Sequence, residues 1–157
     1  MKATEIRNWP VAFQPSEWPE GVLNHMHANV FMALFKLRTL STVPMVPSSL
    51  ASAHVRHSGA SMHSTQGNMR LSTATDMHVK TVSDLLRVMI AADAEQDITG
   101  FGMYFDTNTP MFHIDTGRPS RLMWIAFKNA KGEREYLYRE NDRVKFYKKL
   151  GELLCSH

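Results

Sequence analysis

Apolar residues recur along this chain at two periods. In EGVLNHMHANVFMALFKLRTLS, the residues Val22, Leu23, Met26, Val30, Ala33, Leu34 and Leu37 follow helical spacing, which predicts a helix with one buried stripe. His25 and His27 fall in its first half and, two apart, cannot share a face; both are expected to be ordinary helix residues. A second stripe, Leu85, Leu86, Val88, Met89 and Ala92, runs through TVSDLLRVMIAADAEQD, with Thr81 or Ser83 available as N-cap. The C-terminal ENDRVKFYKKLGELLCSH reads as a third, amphipathic helix. Elsewhere the period drops to two. TGFGMYFD, a turn and MFHIDT predict a hairpin, and RLMWIAFKNAKGEREYLYR predicts another turning at 129–132, where Gly132 eases a positive φ. ATDMHV reads as a strand, and TVPMVPSSL as a short extended run broken by Pro44 and Pro47. The expected class is α+β: a small, mainly antiparallel sheet with flanking helices.

A length of 157 residues fits one domain with short appendages. We divide it into an extended arm over 1–20, a domain over 21–127, and a hairpin and helix extension over 128–157. The arm is punctuated by Pro10, Pro15 and Pro19, and Trp9 and Trp18 are expected to anchor it by packing. Hydrophobic residues make up 43% and charged residues 21% of the chain, ordinary for a globular protein, and the eleven methionines suit irregular core gaps. No apolar run approaches the ~18 residues of a membrane span, so membrane insertion is not expected. The N-terminal stretch lacks the apolar core of a secretory signal. The lone cysteine, Cys155, excludes an internal disulfide and a Cys-rich zinc site. A net charge of +3 and a pI near 9.1 favour anionic surfaces weakly. Much of the excess lies between Arg118 and Lys149, read here as a solvated basic face. No nucleic-acid motif accompanies it, so nucleic acid is not an expected partner.

Candidate chemistry concentrates in two places. The long polar segment ASAHVRHSGASMHSTQGNMRLSTATD holds three of the eight histidines; a loop of that length in a small domain is functional or disordered. In MFHIDT, strand alternation turns Met111, His113 and Asp115 to one face and Phe112 and Ile114 to the other. Asp76 and His78 likewise share a face. Such pairs are either solvated cross-strand contacts or parts of a site. His63, Asp76 and His113, with Asp115 to spare, make up the inventory of a catalytic zinc: three protein ligands and a further carboxylate for proton transfer.

These residues resemble the zinc-dependent D-alanyl-D-alanine carboxypeptidase and peptidoglycan endopeptidase family, whose fold recurs in the hedgehog signalling domain. The likeness runs from Phe13 to Trp124. It rests on Ser61, His63, Gly67, Ala74 and Asp76, then on GFGMYFDTNTPMFHIDTGRPSRLMW, where Gly100, Gly102, Tyr104, His113, Asp115, Thr116, Gly117 and Trp124 match. VPSSLASAHVR echoes an upstream small-residue stretch ending in arginine, here Arg56. One departure is the spacing of His63 and Asp76, which are separated by twelve residues. The family spacing is shorter, so a loop insertion around 68–72 is inferred.

The resemblance implies that His63, Asp76 and His113 hold zinc. It makes Asp115 the general base, an orienting group for the water, or itself a ligand, and gives Arg56 a substrate carboxylate to bind. His57 and His78 would support the ligands or the oxyanion. It further implies hydrolysis of peptidoglycan stem or cross-link peptides, as in a bacteriophage lysin or virion-associated enzyme, acting from the host cytoplasm before lysis or from the virion. The other reading is a structural tail or baseplate protein that keeps the fold with an altered or inactive metal site and docks on phage structural proteins.

Overall fold

Helix α1 occupies Ala28–Ser41, shorter than its stripe predicts, and the shortening has a local cause. Gly21 takes a left-handed φ of 75° and opens a 3-10 turn over Val22–Asn24. The backbone of His25 and His27 is then committed to Ser72, through bonds of 2.7 and 2.8 Å. His27 is therefore the N-cap, its Nδ1 accepting from the Asn29 N–H at 3.1 Å. Neither His25 nor His27 lies inside the helix, a correction to the sequence reading. The computed structural model describes residues 1–7, 12–59, 61–65 and 71–156; Trp9, Pro10, Gly67 and the first part of the inferred insertion lie outside them.

Helix α2 spans Val82–Ala94 and begins at Thr81, which forms a reciprocal capping box with Asp84. Among the described residues six strands follow the expected class: β1 Val46–Pro47, β2 Ala74–His78, β3 Gly100–Tyr104, β4 Met111–Asp115, β5 Leu122–Lys128 and β6 Arg134–Tyr138. Helix α3, Arg143–Ser156, closes the described chain. They form one sheet in the order β1-β2-β4-β3-β5-β6, in which every pairing is antiparallel except β3 with β5. The β5–β6 hairpin turns with Gly132 at φ 80°. The link from β4 to β5 passes the end of β3, and Thr99 secures it by accepting from Leu122 N–H at 2.8 Å and Arg118 N–H at 3.0 Å.

Pleating divides the sheet into two faces. Met77, Phe112, Ile114, Phe101, Met103, Met123 and Ile125 face the helices and join Phe31, Leu34, Leu85 and Val88 in one buried cluster. The N-terminal segment enters the same cluster. Phe13 and Trp18 pack on Phe31 with ring centroids 6.0 and 5.9 Å away, so Trp18 is a packing anchor. At the other end, Phe146 and Leu150 of α3 join the cluster beside Phe127. Several methionines, among them Met26, Met45, Met77 and Met103, are fully buried filler.

Phe112 is fully buried at the centre of this layer. Phe112→Ala should destabilise the fold by about 3–5 kcal/mol through lost burial and a residual cavity, read as a lower urea midpoint at unchanged slope.

Candidate metal centre

The opposite face of the sheet carries the polar residues. Cross-strand register sets Asp76 against His113, His113 against Gly102, Gly102 against Trp124, and Trp124 against Tyr138. One step away lies Ala74, Asp115 and Gly100, and one step the other way His78, Met111 and Tyr104. Side chains in a row are near neighbours, so Asp76 on β2 and His113 on β4 meet directly.

His63 arrives from the long polar segment. Arg56 N–H donates to His63 O at 2.7 Å and Thr65 N–H to Arg56 O at 2.9 Å, which folds the segment back on itself. Its base is tied down by Ser72, whose hydroxyl donates to His54 O at 2.6 Å and to Ala74 O at 3.0 Å. His54 is fully buried, with Nε2 donating to Ser48 O at 2.7 Å and Nδ1 accepting from the Thr75 hydroxyl at 2.6 Å. Burial holds its pKa below the ordinary imidazole value, in keeping with this neutral tautomer.

Three ligand-type atoms converge. His113 Nδ1 lies 2.8 Å from Asp76 Oδ1, His63 Nε2 lies 3.1 Å from His113 Nδ1, and His63 Nε2 lies 3.5 Å from Asp76 Oδ1. All three residues are buried, and they can hold a metal ion. For bonds of about 2.1 Å in tetrahedral geometry, neighbouring donors sit roughly 3.4 Å apart; the observed triangle is close to one face of such a tetrahedron. Two imidazole nitrogens and a carboxylate oxygen turned to one point repel unless a cation or a proton sits among them. The twelve residues between His63 and Asp76 thus do not keep them apart.

Behind His113 stands Asp115, with no solvent exposure. Its Oδ2 lies 3.1 Å from His113 Nε2 and 2.7 Å from Arg118 Nε, and its Oδ1 accepts from the Thr99 hydroxyl at 3.1 Å. The ring nitrogen facing away from the triad is thereby bonded to a carboxylate, the arrangement that fixes tautomer and orientation in metal-binding histidines. Two glycines make room. A Cβ at Gly100 would overlap the Asp115 carboxylate, and one at Gly102 would overlap the Trp124 indole, which leans across β3 to lie 5.2 Å from the His113 ring.

Burial opposes charge on Asp76, yet hydrogen bonds from His113 and His63 outweigh it and hold the carboxyl well below its usual range. For Asp115, burial is likewise overcome by His113 and Arg118, and its pKa is lowered. His113 is the mirror case: burial would lower it, but its bonds to Asp115 and Asp76 raise it. Burial, reinforced by the Asp76 charge, pushes the Tyr104 phenol up to about 12.

Among the sequence candidates, the structure brings His63, Asp76, His113 and Asp115 together. Arg56 pairs with His63 through the backbone only. Its exposed guanidinium bonds Ser52 O at 3.0 Å and lines a cleft of about 630 Å³ shared with Glu20, His25 and His57, to which no triad residue contributes. His78 shares the face of Asp76 and borders a separate cleft beside Pro44, Val46 and Pro47. The expected solvated basic face is corrected at several points: Arg118 is bound to Asp115, Arg134 is paired with Asp106, Arg121 donates to Ala92 O and Glu95 O, and Arg139 is buried against Asp93 and Glu140 at 2.7 and 3.1 Å. Sequence reasoning missed the roles of Arg118, Thr99 and His54. For Arg118 a signal exists, since a residue three beyond Asp115 in a turn can fold back on it. Comparison of the chain with known protein families, curated proteins and solved structures found no match.

Gly102→Ala should displace Trp124 and cost about 1–3 kcal/mol by overpacking, read as a lower melting temperature with a shifted tryptophan emission. A pH prediction follows for metal-free protein. The depressed Asp76 and Asp115 contribute stability present above the unfolded carboxyl value of about 4, lost as pH falls through their folded values. The raised His113 contributes stability complete below the unfolded imidazole value of about 6.5, lost as pH rises through its folded value. His54, whose pKa burial lowers, acts the other way below about 6.5, where the unfolded chain takes up a proton that the folded one does not. Metal-free melting temperature should therefore be highest near about pH 6.5, and added divalent metal should raise it mainly above the folded value of His113, where that ring is free of its proton.

Proposed function

We propose that the chain is a zinc-dependent peptidase acting on the stem or cross-link peptides of peptidoglycan, as its resemblance implies, in the setting of a phage lysin or a virion-associated enzyme. The observation that carries this reading is the convergence of His63 Nε2, Asp76 Oδ1 and His113 Nδ1 at 2.8 to 3.5 Å from one another. Two imidazoles and one carboxylate are a donor set of catalytic zinc sites, which keep a fourth position open. Zinc, when bound, supplies Lewis acidity toward a peptide carbonyl and toward water.

The protein's own residues have distinct tasks in this scheme. Asp76, His63 and His113 hold the ion. Asp115 holds the His113 Nε2–H and so aims Nδ1 at the site; Arg118 and Thr99 hold Asp115 in turn. Because its oxygens already accept three hydrogen bonds behind the ligand, this geometry supports a positioning task for Asp115 over that of general base. The Arg56 guanidinium, beside His25 and His57, suits a carboxylate of the peptide substrate.

Elemental mass spectrometry of the purified protein should find about one zinc per chain, lost in His113→Ala, and the protein should release amino groups from purified peptidoglycan. Absence of zinc after reconstitution would overturn the reading and favour a structural phage component. Asp115→Asn separates the two roles. A positioning residue predicts zinc affinity reduced about 10–100-fold, with activity recovered at excess zinc. A general base predicts full zinc occupancy with activity lost at every zinc concentration.

A further inference from the structure

The face that carries the triad does not end with it. Trp124 and Tyr138 continue the row of His113, and Tyr104 and Tyr136 stand in the next row. Along β6, alternation sends Leu137 to the core side, where it packs on the hydrophobic cluster, and leaves Tyr136 and Tyr138 on the triad's side. Ring centroids are 6.4 Å apart for Trp124 and Tyr138 and 6.5 Å for Tyr136 and Tyr138, the latter pair with planes 20° apart. Tyr136, on the edge strand, is 43% exposed. Polar side chains normally cover the solvated face of an antiparallel sheet. An aromatic strip that runs from a buried site to an open edge is a recognition surface.

The charges beside the strip narrow its ligand. Arg118 lies over Trp124 at 5.2 Å but is paired with Asp115, and Arg134 lies over Tyr104 at 5.5 Å but is paired with Asp106. Single-stranded nucleic acid needs cations free to meet its phosphates, and both guanidiniums over these rings are already matched. Rings whose overlying guanidiniums are already matched suit a neutral, hydroxyl-rich ligand with one apolar C–H face. A pyranose sugar has that chemistry.

We propose that Tyr136 and Tyr138 form a saccharide platform that holds the glycan part of the substrate while the triad meets its peptide. The choice of an N-acetylated amino sugar as ligand rests on the peptidase reading above. The spacing is consistent with it. From β4 to β6 are three strand steps, about 14 Å, a distance that roughly four extended residues span.

The test is titration of the full-length chain with the N-acetylglucosamine tetramer, followed by intrinsic fluorescence. Binding is expected to be saturable, insensitive to salt and unchanged by a metal chelator. Tyr136→Ala/Tyr138→Ala should weaken it about tenfold or more, whereas Tyr136→Phe, which keeps the ring, should stay within about threefold. The exposed Tyr136→Ala alone, with unchanged melting temperature and zinc content, guards against a folding defect. No binding by the unmodified chain, equal affinity in the alanine variants, or tighter, salt-sensitive binding to an oligothymidine would each overturn the platform. Saccharide binding without amine release from peptidoglycan would keep the platform and sink the peptidase reading; amine release without saccharide binding would do the reverse.

Discussion

Everything on the polar face depends on the register between β2 and β4. Side chains alternate along a strand, so a slip of one residue would turn Asp76 away from His113 and drive Met77 or Phe112 into water. The register is held from the other side of the sheet, where Met77, Phe112 and Ile114 are fully buried. The hydrophobic layer thus decides where the ionisable groups stand. The ionisable residues of β2 and β4 are concentrated on one face because the opposite face is filled with apolar side chains, where the polar Thr75 is accommodated by its bond to His54.

Burying two carboxylates and two imidazoles together is costly unless each has partners. Here the partners come in sequence. Thr99 and Arg118 satisfy Asp115, Asp115 satisfies one side of His113, and the other side of His113 meets Asp76 and His63. Thr99 and Arg118 belong to the segments that flank β3 and β5, so the crossover between strands and the orientation of a candidate ligand are one structural unit. Glycine has a steric function in it. At Gly100 and Gly102 the missing Cβ is the space that the Asp115 carboxylate and the Trp124 indole occupy.

His63 reaches the site by a different route. It sits outside the sheet, on a segment pinned by buried hydrogen bonds of His54 and Ser72. This explains how a connection of twelve residues between His63 and Asp76 still brings both to one site. Closing a longer loop costs little in entropy, and the cost is offset where both ends are anchored. The same anchoring takes the backbone of His25 and His27 away from α1, so the start of the first helix and the placing of His63 share one cause.

Periodicity alone made the two hairpins, the second helix, the C-terminal helix and the α+β class legible, because these patterns are local and the burial they imply is one-sided. Spacing by two put His113 and Asp115 on one face for the same reason. The start of α1 was not legible, since it turns on a pairing between His25, His27 and Ser72 across a long separation in the chain. Nor were the tasks of Arg118, Thr99 and His54, which depend on where a crossover and a buried loop come to rest. The meeting of His63 with Asp76 and His113 was suggested by motif order, but the chain's length between them left it open. The sequence by itself determined which residues could ionise and which face of each strand they would take. Only the tertiary structure decided which of them meet, because contacts between distant segments are selected by the packing of the whole core, and local preference carries no information about that.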